Sequence, residues 1–139
     1  MISDDVDTFV DTVHDEFVTL EERRSQLFVR ILPHGVSRTT LFDGSTMHVQ
    51  AGCMDGCSVG IEIEQGSWFT RWVLEIDWRN SIDSFPPSAS SVSLDGTDLT
   101  EEADGALVAS AGCDSCWHFD EPTGTLLVSI ASAGTVHAE

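Results

Sequence analysis

The chain has 139 residues, enough for one domain that buries a core without covalent staples. It carries 24 acidic residues against six basic ones, a net charge of −18, and all six bases are arginine. That balance excludes sequence-independent binding to DNA or RNA, which needs cationic side chains to displace counterions, and argues against an anionic membrane surface.

In chain order, residues 3–25 are predicted as a helix, with residues 1–26 as an N-terminal helical unit and 27–139 as a β-sandwich domain. Ser3 is a fair N-cap, Asp4, Asp5 and Asp7 suit the positive end of the helix dipole, and Arg23-Arg24 suit the other end. Val6, Val10, Val13, Phe17 and Leu20 recur at spacings of four, three, four and three and form one apolar seam. The seam either covers the sheet or meets a protein partner, a second copy of the chain included. Asp7, Asp11 and Asp15 form a like-charge ladder that weakens the helix at low salt.

From residue 26 the helical period gives way to strands. Gln26–Leu32 is closed by Pro33, and Thr39–Phe42 and Thr46–Gln50 flank the turn dipeptide Asp43-Gly44. Cys57 to Arg79 is the central feature, read as two antiparallel strands joined at Gln65-Gly66-Ser67. Val59, Ile61 and Ile63 alternate with polar or small residues on the first arm. On the second arm Trp68, Trp72, Leu74, Ile76 and Trp78 share one face, which predicts a buried stripe. Asn80–Ser91, with Pro86-Pro87, is a crossing loop. Short strands follow at Val92–Leu94, Leu99 and Ala106–Ser110. Trp117–Phe119 and Thr125–Ile130 form a last hairpin across Pro122 and Gly124. Ala131–Glu139 is a small, polar tail. Seven to nine short strands at this spacing predict a mainly β fold, an antiparallel β-sandwich or small barrel preceded by one helix.

Cys53 and Cys57 form C-x3-C, and Cys113 and Cys116 form C-x2-C, each introduced by Ala-Gly. Two tight turns converging on one tetrahedral thiolate site would hold a structural zinc ion, with His118 or His48 as a substitute ligand. Disulfides, within or across the pairs, and free thiols satisfy the same spacing. A redox motif fits poorly, because Trp117-His118-Phe119 reads as strand and not as the helix that should follow it.

No Gly-rich phosphate loop, His-Glu-x-x-His or nucleophile elbow occurs, and the five histidines are scattered. No apolar run approaches a membrane span, and Met1-Ile2-Ser3-Asp4-Asp5 is not a secretory leader, so synthesis in the cytoplasm is expected.

Acidic excess without lysine, at 41% hydrophobic residues, resembles the proteins of extreme halophiles and their viruses. Molar salt shortens the screening length to about 3 Å and would quench the self-repulsion. A second resemblance runs from Leu41 to Ile130. Leu41-Phe42-Asp43-Gly44, Ser91-Val92-Ser93-Leu94-Asp95-Gly96 and Trp117-His118-Phe119-Asp120 with Gly124-Thr125-Leu126-Leu127-Val128 are similar in layout to the β-sandwich that follows the barrel in family 31 α-glucosidases. That resemblance implies a sandwich fold and an accessory role, since the family's catalytic aspartates lie in the barrel.

With no catalytic set visible and a seam-bearing helix at one end, the expected function is a non-enzymatic subunit of a larger halophilic assembly. A virion component such as a capsid, decoration, connector or tail protein is the leading form, with protein partners and homo-oligomers. The alternatives are a carbohydrate- or surface-binding sandwich module, with Phe69, Trp117 and Phe119 as its aromatic platform, and a zinc-stabilised adaptor.

Overall fold

The computed structural model describes residues 10–11, 16–17, 26–33, 35–53, 56–79, 85–110 and 112–139. It is a β-sandwich. One sheet has the order β10-β11-β12-β7-β3 and the other β4-β5-β6-β13-β8-β9. The first comprises β3 (Gln26–Ile31), β7 (Arg71–Asp77), β10 (Thr100–Glu101), β11 (Ser115–Asp120) and β12 (Thr125–Ile130). The second comprises β4 (Val36–Thr40), β5 (Thr46–Gly52), β6 (Ser58–Glu64), β8 (Val92–Leu94), β9 (Thr97–Asp98) and β13 (Gly134–Ala138). All pairings are antiparallel except β3 with β7 and β10 with β11.

Two-residue alternation decides which side chains face inward. Val59, Ile61 and Ile63 of β6, Met47 and Val49 of β5, and Val136 and Ala138 of β13 line the inner face of the six-stranded sheet. Opposite them stand Trp72, Leu74 and Ile76 of β7 with Leu126, Val128 and Ile130 of β12, in one continuous cluster. Full burial of a side chain of this class contributes about 1.5–3 kcal/mol, so this slab is the main source of stability.

The central ribbon is built differently from the expected hairpin. β6 pairs with β5 and β13, whereas β7 pairs with β12 and β3, so the chain crosses from one sheet to the other between Glu64 and Arg71. The two apolar stripes face each other across the sandwich and do not lie side by side. Trp72 and Trp78 are fully buried as expected, but Trp68 precedes β7 and is only half-buried.

Two further expectations change. Ala106–Ser110 is not a strand, because Gly105–Ala109 forms the short helix α1. Asp104 caps it by accepting a hydrogen bond from the Ala106 N–H at 3.0 Å, and Val108 buries its side chain completely. The expected tail contains β13, a central strand. Its end is stitched by Glu139 N–H donating to Ser91 O at 3.1 Å and Ser90 N–H donating to Glu139 O at 2.6 Å. Beyond β7, Trp78 packs its ring tilted against Phe85, with centroids 4.8 Å apart, and donates from Nε1 to Pro86 O at 3.0 Å.

Most of the expected helix 3–25 lies outside the described residues. The exceptions are β1 (Val10–Asp11) and β2 (Glu16–Phe17), which pair antiparallel with Val10 opposite Phe17. A β-branched and an aromatic residue favour extended pairing, and the aspartate ladder opposes a helix there. Of the interaction seam, Val6, Val13 and Leu20 fall outside the described residues, as do the side chains of Val10 and Phe17. Among the described residues, no helix is long and apolar enough to cross a membrane.

Candidate functional site

The four cysteines do not converge on one site. Cys53 is disulfide-bonded to Cys57, and Cys113 to Cys116. The first pair joins the ends of β5 and β6 in the six-stranded sheet, while Cys116 lies in β11 of the five-stranded one. The four sulfurs expected as a zinc set are instead paired with one another, each pair within its own turn. His118 turns Nδ1 to Glu102 O at 2.8 Å, and among the described residues no group of three or more His, Cys, Asp or Glu side chains is placed to hold a metal ion. Arg71 braces the Cys113–Cys116 turn, donating to Cys113 O at 3.2 Å and pairing with Asp114 at 2.6 Å.

The expected aromatic platform is also corrected. Phe69, Trp117 and Phe119 all belong to the core: alternation along β11 carries Trp117 and Phe119 into the cluster between the sheets, and Phe69 enters it from the β6–β7 crossing. Among the described residues two aromatic rings face solvent, Phe28 on β3 at 53% exposure and Phe42 at the tip of the β4–β5 hairpin at 56%, and of these Phe42 is held by aromatic neighbours. Its ring meets half-buried Trp68 edge-on at 5.1 Å and buried Phe69 at 5.6 Å. Edge-to-face contacts of this kind fix a ring's orientation and add about 0.5–1.5 kcal/mol beyond area burial. Phe42 is therefore an exposed but positioned ring.

Asp43 sets that position. Its carboxylate is buried between the β4–β5 turn and the β6–β7 crossing and accepts four hydrogen bonds. Oδ1 takes the Ser45 N–H at 2.9 Å and the Ser45 hydroxyl. Oδ2 takes the Trp68 and Phe69 N–H groups, each at 3.2 Å. The Asp43 carbonyl accepts from Ser67 N–H at 2.9 Å. Burial alone would raise the Asp43 pKa, but the bonds from the Ser45 side chain and backbone, Phe69 and Trp68 outweigh it and hold the carboxyl below its ordinary range. With all these donors satisfied, Asp43 has no acid or base work to do. It clamps two loops and presents Phe42. Gly66 permits the close approach, since a Cβ there would sit 2.5 Å from Asp43 O.

Sequence reasoning missed Phe42 and Trp68 as a pair. The available signal was an aromatic residue directly before an Asp-Gly turn, where strand alternation ends and burial is no longer implied.

No family model matches the chain, and no curated protein matches it. Solved structures do. The cycloalternan-forming enzyme from Listeria monocytogenes, in complex with a pentasaccharide substrate, is similar at a TM-score of 0.63 and 16% identity, over 81% of this chain and 10% of that one. The GH31 dextranase from Flavobacterium johnsoniae, complexed with glucose, is similar at 0.55 and 14% identity, over 82% of this chain and 16% of that one. The α-1,4-glucan lyase from Gracilariopsis lemaneiformis is similar at 0.53 and 14% identity, over 82% and 13%. This chain thus spans only 10–16% of the enzymes' length. Identity this low shows the fold alone, and that fold is a sandwich found as one part of large carbohydrate-active enzymes, in keeping with the resemblance seen in the sequence. The expectation of a virion subunit is corrected by these likenesses, because the fold they share with this chain is carried by carbohydrate-active enzymes as a part of their length.

Proposed function

We propose that this chain is a non-catalytic carbohydrate-binding β-sandwich module, which stacks Phe42, backed by Trp68, against a sugar ring of an α-glucan. The observation that carries the reading is Phe42 itself, an aromatic face left in solvent and fixed by a buried clamp. Such a ring gains contact with the C–H face of a sugar at little further cost in conformational entropy. The similar enzymes add the ligand class, since the names of three of them speak of cycloalternan, a dextranase and an α-1,4-glucan. The acidic, lysine-free surface suits a module that works in brine, where stacking and hydrogen bonding to a neutral glycan are not screened as ion pairs are.

Calorimetric titration with a linear α-1,4-glucan oligosaccharide and with a dextran oligosaccharide tests the reading. Wild type binds at least one, and Phe42→Ala weakens binding at the Phe42 surface about tenfold or more, equivalent to about 1.4 kcal/mol. Losing the ring contacts with Trp68 and Phe69 lowers the variant's thermal midpoint by several degrees, about 4 °C per kcal/mol, so binding is compared well below the melting of both proteins. Binding of neither glucan, or equal binding by Phe42→Ala, overturns the proposal.

A further inference from the structure

We propose that a groove across Gly60, on the outer face of the six-stranded sheet, is a second saccharide site, separate from Phe42. The inference rests on the carbohydrate-binding reading above and names another surface for it. The groove is open to solvent, spans about 600 Å³ and is lined by Val36, Gln50, Ser58, Gly60, His137 and Glu139 among others. A volume of this size is within the usual range for small-ligand sites, about 300–1,000 Å³.

Strand register explains how it forms. Val36 pairs with Gln50, Gln50 with Gly60, and Gly60 with His137, so the four lie in one row across β4, β5, β6 and β13. Gly60 leaves a gap in that row. Glycine inside a strand weakens it by about 0.5–1 kcal/mol relative to alanine. Here neither packing nor backbone geometry requires it. A Cβ on Gly60 would meet only Gln50 O, at an ordinary 3.9 Å, and Gly60 is not among the glycines with positive φ. What the missing side chain provides is room, with bare backbone as the floor.

The lining chemistry selects the ligand. Gln50 and Ser58 each donate and accept, His137 offers a ring nitrogen, Glu139 accepts, and Val36 adds an apolar edge. No arginine lines the groove, and Glu139 repels phosphate, sulfate and other anions. A hard cation needs six or more oxygen ligands, far more than the Glu139 carboxylate, 3.9 Å from His137 Nε2, can supply. A neutral polyhydroxylated ring matches the mixed donors and acceptors. From Thr46, beside the Phe42 turn, to Gln50 is four residues of β5, or about 14 Å, so one sugar ring does not reach both surfaces.

Amide and side-chain NMR of the full chain, titrated with maltoheptaose and with a dextran oligosaccharide, tests this. The Gly60 amide and His137 ring signals shift in wild type and in Phe42→Ala. Gly60→Val folds, because the space is open and valine favours strands, yet loses groove binding about tenfold or more. Its Trp68 indole still responds to sugar. Should Gly60→Val fail to fold, the double variant Gln50→Ala/His137→Ala removes the same contacts from exposed positions and loses binding likewise. Shifts at Trp68 with none at Gly60 overturn the groove and leave the proposed function standing. Shifts at Gly60 with none at Trp68 support the groove and remove Phe42 from the function. Calcium chloride shifting Gly60 and His137 while neither glucan does overturns it in favour of a cation, and silence at both surfaces sinks both proposals.

Discussion

Replacing Asp43 with asparagine tests the clamp, because the change keeps size and shape while removing the charge. The wild-type carboxylate has two donors on Oδ1, both from Ser45, and two on Oδ2, from Trp68 and Phe69. An amide offers one oxygen and one NH2. Whichever way it is turned, its NH2 faces at least one backbone N–H and loses that side. Hydrogen bonds to charged groups contribute about 1.5–3 kcal/mol each, so losing two costs about 3 kcal/mol at the low end; relief from burying a charge returns part, leaving about 2–3 kcal/mol. With a urea slope of about 1.5 kcal/mol per molar, the midpoint falls by about 1.3–2 M at pH 7 and fixed salt. The sign with pH is set by the lowered pKa. The carboxylate's contribution is complete above the ordinary aspartate range and is lost as pH falls through the lower folded value. The gap between wild type and Asp43→Asn therefore narrows only on the acid side, below about pH 4. A midpoint unchanged at pH 7, or a gap that widens on acidification, refutes the clamp.

Other outcomes follow from the same coordinates. Raising potassium chloride from about 0.1 M to molar levels, which shortens the screening length from about 10 to 3 Å, raises the thermal midpoint, and an unchanged or lower midpoint counts against the halophilic reading. Intact mass before and after reduction differs by two disulfides' worth of hydrogen; reduction costs about 2 kcal/mol per short loop and leaves the circular-dichroism spectrum of a β fold, while a chelator changes nothing. Trp72→Phe costs about 1 kcal/mol less than Trp78→Phe in urea denaturation, since Trp72 Nε1 is buried without a hydrogen-bond partner whereas Trp78 Nε1 loses its bond to Pro86 O.

How much of this was legible in the sequence depends on what a local pattern can encode. Alternation identified the buried faces of β6 and β7, because a strand's inward set follows from a two-residue period. It could not name the neighbour: Val59, Ile61 and Ile63 need apolar company, and an adjacent arm or an opposite sheet serves equally well. Residues 105–109 are too few to show a helical period, and Gly134–Ala138 is too small and polar in composition to announce a central strand. Cysteine spacing is compatible with a metal or a disulfide, and the choice is made by which strands the turns join.

The deepest obstacle is that polar residues with one local appearance serve different ends. Three Asp-Gly dipeptides fall within the described residues. Asp43 is buried and ties two loops together; Asp95 is exposed, with φ of 50°, and accepts from Thr135 N–H at 2.8 Å across the sheet; Asp104 caps α1. Gly44 and Gly96 take the positive φ their turns require, and Asp104 bonds Ala106 two residues on, but Asp43 and Asp95 also need partners from elsewhere, 25 or 26 residues away for Asp43 and 40 for Asp95. Among 24 acidic residues, most of which suit a solvated surface, nothing local marks the one that orients Phe42. The same limit hid Gly60, whose meaning lies in Gln50 and His137 on either side of it, residues that become its neighbours only when β13 enters the sheet. A candidate site made of cross-strand rows and loop clamps is thus a property of pairing, and pairing is settled by the fold as a whole.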